Sequence, residues 1–224
     1  MSAPLPAVPT VLPSVMSADM LRLGEQLDAL LAAGARTFHV DVMDGHFVPN
    51  FTVGTDWARA VAGRVHEAGG AIDVHLMVSR PGEGVALFAP FADAVSFHLE
   101  AETHPHRLLG AIRDAGCHAG LSINPSTPVE HVLDLVDQLD YVNVLAINPG
   151  FAGQEFIHRT PDRIARLCAI LPERIAVEVD GGINAHTLPA ARNAGARMLV
   201  SASAIFRASD PVASYSELSA LAGE

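Results

Sequence analysis

Cysteine and positive charge are both scarce in this chain of 224 residues. Its two cysteines, Cys117 and Cys168, form no CxxC pair. The sequence therefore excludes a disulfide framework and a thiolate metal site, and it suits a reducing cytoplasm. With 14 Lys and Arg against 25 Asp and Glu, the formal net charge is -11. This balance argues against a nucleic-acid-binding protein, because such proteins gain affinity from clustered cations.

Segments that would direct the chain to a membrane are also lacking. The first ten residues carry no Lys or Arg, and Pro4, Pro6 and Pro9 interrupt their apolar stretch, so we predict no signal peptide. No apolar run approaches the length that a helix needs to cross a bilayer. We therefore expect a cytoplasmic protein with no membrane partner.

The composition provides a large buried core. Hydrophobic residues make up 50% of the chain and charged residues 17%, which excludes disorder as the main state. The length suits one α/β barrel or one large domain, and no linker-like change of composition divides it. We expect a single domain over residues 1–224, in which residues 1–8 form a flexible N-terminal extension.

Strand and helix patterns alternate along the chain. Apolar alternation and short apolar runs predict eight strands, at residues 10–14, 37–43, 71–77, 94–99, 118–123, 141–147, 175–179 and 198–201. Leucines at helical spacing predict a helix at 20–33 with Ser17 or Asp19 as its cap, and a further helix is predicted at 55–64. Thr127, Thr160 and Asp210 each precede a proline and are predicted to cap other helices, Thr127 with Glu130 in a capping box.

Glycine is predicted to end three helices in the same way. Gly34, Gly116 and Gly195 each follow an alanine shortly before a predicted strand, where a left-handed glycine closes a helix. Eight β/α units in this length predict a (β/α)₈ TIM barrel. An open doubly wound sheet is the alternative, but the loop after the first strand lacks the GxGxxG phosphate turn of that fold.

Polar side chains fall near the C-terminal ends of the predicted strands, where the loops of a barrel gather its chemistry. These residues are Ser14, His39, Asp41, Asp73, His75, Glu178 and Asp180. Because strand geometry sends His39 and Asp41 to one face, the set His39, Asp41, His75 and Asp180 can converge on one point. Two imidazoles and two carboxylates suit Zn²⁺, and also Fe²⁺, Mn²⁺ or Co²⁺. A core histidine satisfied by a neighbouring aspartate is the alternative interpretation of any one pair.

The loops after the last three predicted strands could bind a ligand, and those after strands six and seven contain glycines. Residues 148–154 could close over a ligand as a lid, and the loops after strands seven and eight lie where barrels often bind phosphate. A short helix at 204–206 would present its N-terminus to the same place. The residues predicted to contact the ligand are Gly150, Phe151, Ala152, Gly153, Gly181, Gly182, Ala202 and Ser203. An ordinary turn is the alternative for any one of these loops.

Several phrases of the sequence identify its family. The longest and most specific is HVDVMDGHFVPN at residues 39–50, and the others are PSVMSAD (13–19), DVHLM (73–77), NPGFAGQ (148–154), EVDGG (178–182) and SAIF (203–206). Together they make the chain resemble the ribulose-phosphate 3-epimerase family over nearly its whole length.

The resemblance implies an isomerase of the pentose-phosphate pathway that interconverts D-ribulose 5-phosphate and D-xylulose 5-phosphate. It implies that His39, Asp41, His75 and Asp180 bind one divalent metal ion per subunit, with zinc as the first expectation. It also implies that Asp41 and Asp180 act as the acid–base pair on opposite faces of C3, through a metal-stabilised enediolate. Similar epimerases form homo-oligomers, so we expect one here. Further substrate contacts are implied for Ser14, Met43, His75 and Met77.

Three positions depart from the commonest pattern of the family. Ala152 and Ala202 stand where glycine is usual, and Leu145 stands where a methionine is usual. An alanine in the lid also occurs in similar epimerases that act on D-allulose 6-phosphate, which is the nearest enzymatic alternative. A non-catalytic metal- or phosphate-binding barrel and a metal-dependent aldolase are the alternatives from other classes.

Three histidines outside these phrases lie near the end of the fourth predicted strand. His98, His104 and His106 are predicted to be solvated or structural, because the sequence gives no second cluster around them.

Overall fold

A ring of eight parallel strands forms the centre of the protein, which a computed structural model describes over residues 2–223. The strands are β1 (Thr10–Pro13), β2 (Thr37–Met43), β3 (Ala71–Met77), β4 (Ala94–His98), β5 (His118–Ile123), β6 (Tyr141–Leu145), β7 (Ala176–Asp180) and β8 (Met198–Ser201). Their order is β1-β8-β7-β6-β5-β4-β3-β2. A parallel bridge between Ser14 and His39 brings the two ends of the sheet together. The predicted (β/α)₈ barrel is confirmed, and the open sheet is excluded.

Helices surround the strands. They are α1 (Leu23–Ala32), α2 (Thr55–Glu67), α3 (Pro81–Phe88), α4 (Pro105–Asp114), α5 (Thr160–Ile170), α6 (Leu188–Asn193), α7 (Ser203–Phe206) and α8 (Pro211–Gly223). A 3₁₀ helix, Val129–Leu135, connects β5 to β6, and another, Leu99–Ala101, follows β4. No helix within residues 2–223 is both long and apolar enough to cross a membrane.

The main hydrophobic core lies between the strands and the helices. The helix α1 buries Leu27 and Leu30 against it, and β2 contributes Phe38 and Val40 from its outward face. Removing each of these large side chains from water stabilises the fold by about 1.5–3 kcal/mol. Because the outward residues of each strand supply this core, the inward residues are free to carry polar groups.

The barrel interior is apolar at one end and polar at the other. Leu12, Tyr141 and Met198 pack together toward the N-terminal ends of the strands. In the register of β2 and β3, Asp41 lies beside His75, and Met43 beside Met77. The polar layer therefore lies nearer the C-terminal ends of the strands, which is the catalytic end of barrels in general.

Helix ends were predicted less well than strands. The strands β2, β3, β5 and β8 have the predicted bounds, but α1 begins only at Leu23, with no side-chain cap. The prediction that Ser17 or Asp19 caps this helix is wrong, because the Asp19 carboxylate accepts a hydrogen bond from the backbone N–H of Leu21 at 3.0 Å, ahead of the helix.

Of the three predicted Thr or Asp caps, one is confirmed. Asp210 accepts a hydrogen bond from the backbone N–H of Ala213 at 3.0 Å at the start of α8. Thr160 is itself the first residue of α5, which has no side-chain cap. The Thr127 hydroxyl donates to Glu100 instead of closing the predicted capping box.

The glycine prediction at helix ends is confirmed. Gly34, Gly116 and Gly195 have φ angles of 102°, 88° and 111°. These left-handed conformations are open to glycine at little cost, and they turn the chain from a helix into the next strand.

The N-terminal segment lies across the N-terminal end of the barrel. The backbone N–H of Ala3 donates to Asp93 at 3.1 Å, the Ala3 carbonyl oxygen is 2.9 Å from Nε2 of His118, and Leu5 packs against the cluster that contains Leu12. The flexibility of residues 1–8 stays a prediction, and residue 1 lies outside the described part of the chain.

Candidate active site

Four side chains from three strands meet inside the barrel mouth. Nε2 of His39 lies 3.5 Å from Oδ1 of Asp41 and 3.9 Å from Oδ2 of Asp180. Nδ1 of His75 lies 3.5 Å from the same Asp41 oxygen and 3.4 Å from the same Asp180 oxygen. The four ligand atoms all lie within 4.8 Å of one another. The predicted convergence of these residues is therefore present in the fold.

The arrangement fits a divalent metal ion. Nε2 of His39 and Nδ1 of His75 are buried and have no hydrogen-bond partner within residues 2–223, and leaving such groups unpaired costs about 1–3 kcal/mol each. Ligand atoms at the corners of a tetrahedral zinc site lie about 3.3–3.5 Å apart. Three of the four His–Asp distances, 3.4, 3.5 and 3.5 Å, match that spacing. A divalent cation could satisfy both nitrogens at once.

Ser14 orients the carboxylate of Asp41. Its hydroxyl donates to Oδ2 of Asp41 at 2.6 Å, which leaves Oδ1 to face the two histidines. Burial opposes the charge of Asp41, but His39 and His75 outweigh it and hold the pKa of this carboxyl well below its usual range. The predicted contact residue Ser14 thus touches a predicted acid–base residue directly.

Asp73 and Tyr141 hold His39 from behind. Nδ1 of His39 lies 2.6 Å from Oδ2 of Asp73, and the Tyr141 hydroxyl donates to Oδ1 of Asp73 at 2.6 Å. Burial would raise the pKa of the Asp73 carboxyl, but the neighbouring His39 outweighs it and lowers that pKa. Because a carboxylate only accepts hydrogen bonds, Nδ1 of His39 carries a proton and its Nε2 can offer a lone pair to a metal.

Glu178 lies in the layer below this site. The sequence placed it with Asp180 at the end of the strand, but it is fully buried near His39 and Asp73. Burial and the charge of Asp73 raise the pKa of Glu178 well above its usual value. It does not line the cavity at the barrel mouth.

His98 is buried against His75 and so has the structural one of its two predicted roles, although the sequence did not indicate this contact. Its Nε2 lies 2.9 Å from Nε2 of His75, and its Nδ1 lies 3.2 Å from Oε2 of Glu100. Burial lowers the pKa of His98 to about 4, so its ring is neutral at pH 7. His104 and His106 are exposed, in agreement with the prediction.

A cavity of about 320 Å³ opens above the metal-binding cluster. Asp41 and Asp180 line it, whereas His39 and His75 lie beneath it. It is also lined by the other predicted contact residues, which are Ser14, Met43, Met77, Gly150, Phe151, Ala152, Gly153, Gly181, Gly182, Ala202 and Ser203. Of the residues predicted to contact the ligand, all but His75 therefore surround one volume of the size that a small metabolite needs.

Glycines shape the loops at one side of this cavity. Gly181 and Gly182 have φ angles of 102° and 69°. A Cβ on Gly182 would lie 3.0–3.2 Å from three atoms of Phe156, two of them backbone atoms. Ala202 has a φ of -106°, and no residue other than glycine has a positive φ within the described range. Neither Ala152 nor Ala202 therefore has a positive φ, and each keeps its backbone N–H donor.

The lid, residues 148–154, is braced by two amide side chains. Gln154 donates to the carbonyl oxygens of Asn148 and Phe151 at 2.7 and 2.8 Å. Asn50, in the loop after β2, donates to the carbonyl oxygen of Gly150 at 2.7 Å. Phe151 is 50% exposed at the rim. The loops after β2 and β6 therefore meet over the cavity.

The fold and this cluster at the C-terminal end of its strands are those of a (β/α)₈-barrel enzyme. The chain belongs to the ribulose-phosphate 3 epimerase family, whose sequence model matches residues 10–206. Epimerases are isomerases, and the chain is accordingly an isomerase. The resemblance read from the sequence motifs is confirmed.

Individual relatives agree with this placement. The ribulose-phosphate 3-epimerase of Treponema pallidum (strain Nichols) is 44% identical over 201 residues, covering 88% of this chain and 91% of that protein. That of Escherichia coli (strain K12) is 42% identical over 200 residues, covering 88% of each. Among solved structures, tryptophan synthase of Mycobacterium tuberculosis has a TM-score of 0.72 at 16% identity, with 96% and 93% of the two chains covered. This last similarity shows the fold alone.

Proposed function

We propose that this protein is a metal-dependent epimerase that interconverts D-ribulose 5-phosphate and D-xylulose 5-phosphate. The observation that carries the proposal is the convergence of His39, Asp41, His75 and Asp180 beneath a cavity at the barrel mouth. Curated relatives that are 40–44% identical are ribulose-phosphate 3-epimerases. Because this site retains all four residues, the proposal favours an enzyme over a non-catalytic barrel.

The two aspartates are proposed to move the proton at C3. Asp41 lies two residues before the end of β2, and Asp180 is the last residue of β7, so the two carboxylates approach a ligand in the cavity from different strands. One removes the proton and the other delivers a proton to the opposite face. A divalent cation bound by the four residues would supply the positive charge that stabilises the developing oxyanion. Zinc suits two imidazoles and two carboxylates, as do Fe²⁺, Mn²⁺ and Co²⁺.

The remaining cavity residues are proposed to hold the sugar phosphate. Met43 and Met77 pack together and present an apolar surface near the cluster. On the far side, the backbone N–H groups around Gly182 and Ser203 are proposed to bind the phosphate, which the overall charge of -11 would otherwise repel. The lid would exclude water while the carbanionic state exists.

The compartment and assembly are part of the same proposal. A sugar phosphate is doubly charged and does not cross a lipid bilayer unaided, so the enzyme is proposed to act in the cytoplasm, where the pentose-phosphate pathway supplies it. A homo-oligomer is expected as well, and light scattering of the purified protein would give its mass.

The choice of substrate is tested by kinetics on two sugars. We expect kcat/KM for D-ribulose 5-phosphate to exceed that for D-allulose 6-phosphate by at least about tenfold, corresponding to about 1.4 kcal/mol of differential transition-state binding. A linked enzyme assay for each product measures both rates. Preference for the hexose would indicate that Ala152 and Ala202 mark a change of substrate. Products of carbon–carbon cleavage would indicate an aldolase.

Removal of the metal is expected to abolish turnover. After dialysis against a chelator, activity on D-ribulose 5-phosphate should fall to about 1% or less, since Lewis-acid stabilisation contributes several kcal/mol. Adding Zn²⁺, Co²⁺, Mn²⁺ or Fe²⁺ in turn should restore it and identify the best metal. Full activity in protein shown by elemental analysis to be metal-free would refute the metal requirement.

Substitution of Gly182 is expected to weaken substrate binding. In Gly182→Ala, the new methyl group meets the backbone of Phe156 and must shift the loop, so KM for D-ribulose 5-phosphate should rise about tenfold, by about 1.4 kcal/mol. The control is Gly69→Ala, because Gly69 has a similar φ of 72° but open space around it, far from the cavity. An unchanged KM in the Gly182 variant would exclude this loop from the phosphate site.

A further inference from the structure

Two side chains outside the predicted site, His98 and Glu100, connect His75 of the metal-binding cluster to the loop after β5. His75 faces Asp41 and Asp180 with Nδ1, and its other ring nitrogen, Nε2, lies 2.9 Å from Nε2 of His98. Nδ1 of His98 lies 3.2 Å from Oε2 of Glu100. His75 and His98 are both fully buried. We call this series the Glu100–His98–His75 chain.

The hydrogen bonds of Glu100 determine which nitrogen donates and which accepts at each step of the Glu100–His98–His75 chain. Its other oxygen, Oε1, accepts from the backbone N–H of Asn124 at 2.9 Å and from the Thr127 hydroxyl. A carboxylate accepts hydrogen bonds and donates none, so Nδ1 of His98 must carry the proton that it shares with Oε2. In a neutral imidazole the second nitrogen is then an acceptor. Nε2 of His75 therefore donates to Nε2 of His98, and Nδ1 of His75 keeps its lone pair.

We propose that Glu100 and His98 are positioning residues that fix the tautomer of His75, so that its Nδ1 is available to a divalent metal. The inference rests on the proposed function, and it adds two residues that touch neither the metal-binding cluster's ligand atoms nor the cavity. Outer hydrogen-bond partners of this kind orient metal-bound histidines and raise their basicity.

The loop after β5, which donates hydrogen bonds to Glu100, is itself fixed by Arg163. Arg163 on α5 donates to the carbonyl oxygens of Asn124 and Thr127 at 2.8 and 2.9 Å. The two donors to Oε1 of Glu100 therefore have fixed positions. In this position the Thr127 hydroxyl donates a hydrogen bond to Glu100 and does not cap the following 3₁₀ helix.

Glu100→Gln is the most informative variant because it reverses the direction of hydrogen-bond donation along the Glu100–His98–His75 chain and keeps the shape of the side chain at position 100. The amide oxygen should take the place of Oε1, where two donors already point, and the amide NH₂ should take the place of Oε2. It would then donate to Nδ1 of His98, whose proton moves to Nε2. His75 must accept that hydrogen bond, which puts its own proton on Nδ1 and blocks the metal.

Two measurements test the proposal without using enzyme activity. ¹⁵N NMR of the metal-free protein should show His98 protonated on Nδ1 in the wild type and on Nε2 in Glu100→Gln. His98→Gln identifies the signals by their loss. Zn²⁺ alone, titrated in competition with a chromophoric chelator, should bind Glu100→Gln about 10–100-fold more weakly than the wild type. Thermal unfolding checks that the variant is folded.

Glu102→Gln is the matched control. Glu102 lies two residues from Glu100, but its carboxylate accepts a hydrogen bond from the backbone N–H of His104 at 2.8 Å and none from His98. We expect wild-type zinc affinity and a wild-type His98 tautomer. Equal loss of affinity in both variants would assign the effect to loop structure and overturn the proposal.

The wild-type spectrum alone is decisive if Glu100→Gln fails to fold. His98 protonated on Nε2 in the wild type would overturn the proposal, and protonation on Nδ1 supports it. This outcome can be distinguished from that of the proposed function. A tautomer reversal with weakened zinc binding would support the positioning role of Glu100 and His98 even in a protein that turns over neither sugar. Unchanged zinc affinity in folded Glu100→Gln would overturn it even in an active epimerase.

Discussion

Asp180→Asn is expected to lower kcat on D-ribulose 5-phosphate by at least about 10³-fold. An amide cannot take up or deliver the proton at C3, and general acid–base catalysis alone contributes about 10²–10⁴-fold. The same change removes an anionic ligand that lies 3.4 Å from Nδ1 of His75, so zinc affinity should fall as well. Initial rates at saturating metal, with the zinc content measured in parallel, separate the two losses.

The fold should tolerate this variant, because Asn and Asp have the same shape and the Asp180 side chain is 15% exposed. Asp114→Asn is the control, since Asp114 is exposed at the end of α4 and remote from the cavity; we expect wild-type kinetics. Asp180→Asn with bound metal and more than about a tenth of wild-type kcat would exclude Asp180 from proton transfer, given the contribution expected of such a group.

Gly120→Ala is expected to destabilise the barrel by about 3 kcal/mol, at the upper end of the range for overpacked cores. Gly120 on β5 lies beside Tyr141 on β6, and a Cβ there would come within 2.2 Å of the tyrosine ring. The ring is fully buried and its hydroxyl donates to Asp73, so it has no free space into which to move. Urea unfolding measures the change in free energy.

A displaced Tyr141 should also disturb the support of His39, because Asp73 connects the two. We therefore expect weaker zinc binding in Gly120→Ala. The control is Gly63→Ala on the exposed face of α2, where a Cβ meets no atom within 4 Å; helix propensity predicts stabilisation of about 1 kcal/mol. Equal unfolding free energies of Gly120→Ala and the wild type would contradict the packing described for the barrel interior.

The metal-binding cluster could be predicted from the sequence because strand geometry is simple. The bounds of β2 and β3 were predicted as observed, and a period of two residues fixes which side chains enter the barrel. Once the strands are parallel and adjacent in register, Asp41 and His75 must be neighbours. Local pattern and fold topology together suffice for such a site.

His98 and Tyr141 could not be assigned in this way. His98 also points into the barrel, but its contact with His75 depends on the side-chain conformations of both histidines. The alternation of side chains along a strand does not determine these conformations. Tyr141 begins a strand that reads as apolar, and only the packed interior brings its hydroxyl to Asp73. Thr127 shows the same limit for local rules, since a tertiary hydrogen bond to Glu100 replaces the capping box that its sequence favours.

Solvent exchange at C3 tests the central claim most directly. Metal-loaded protein is mixed with D-ribulose 5-phosphate in D₂O, and the sugars are followed by ¹H NMR. The account predicts D-xylulose 5-phosphate that carries deuterium at C3, because the proton returned by the second aspartate comes from solvent. The absence of D-xylulose 5-phosphate, or its formation with the original hydrogen retained at C3, would contradict the account.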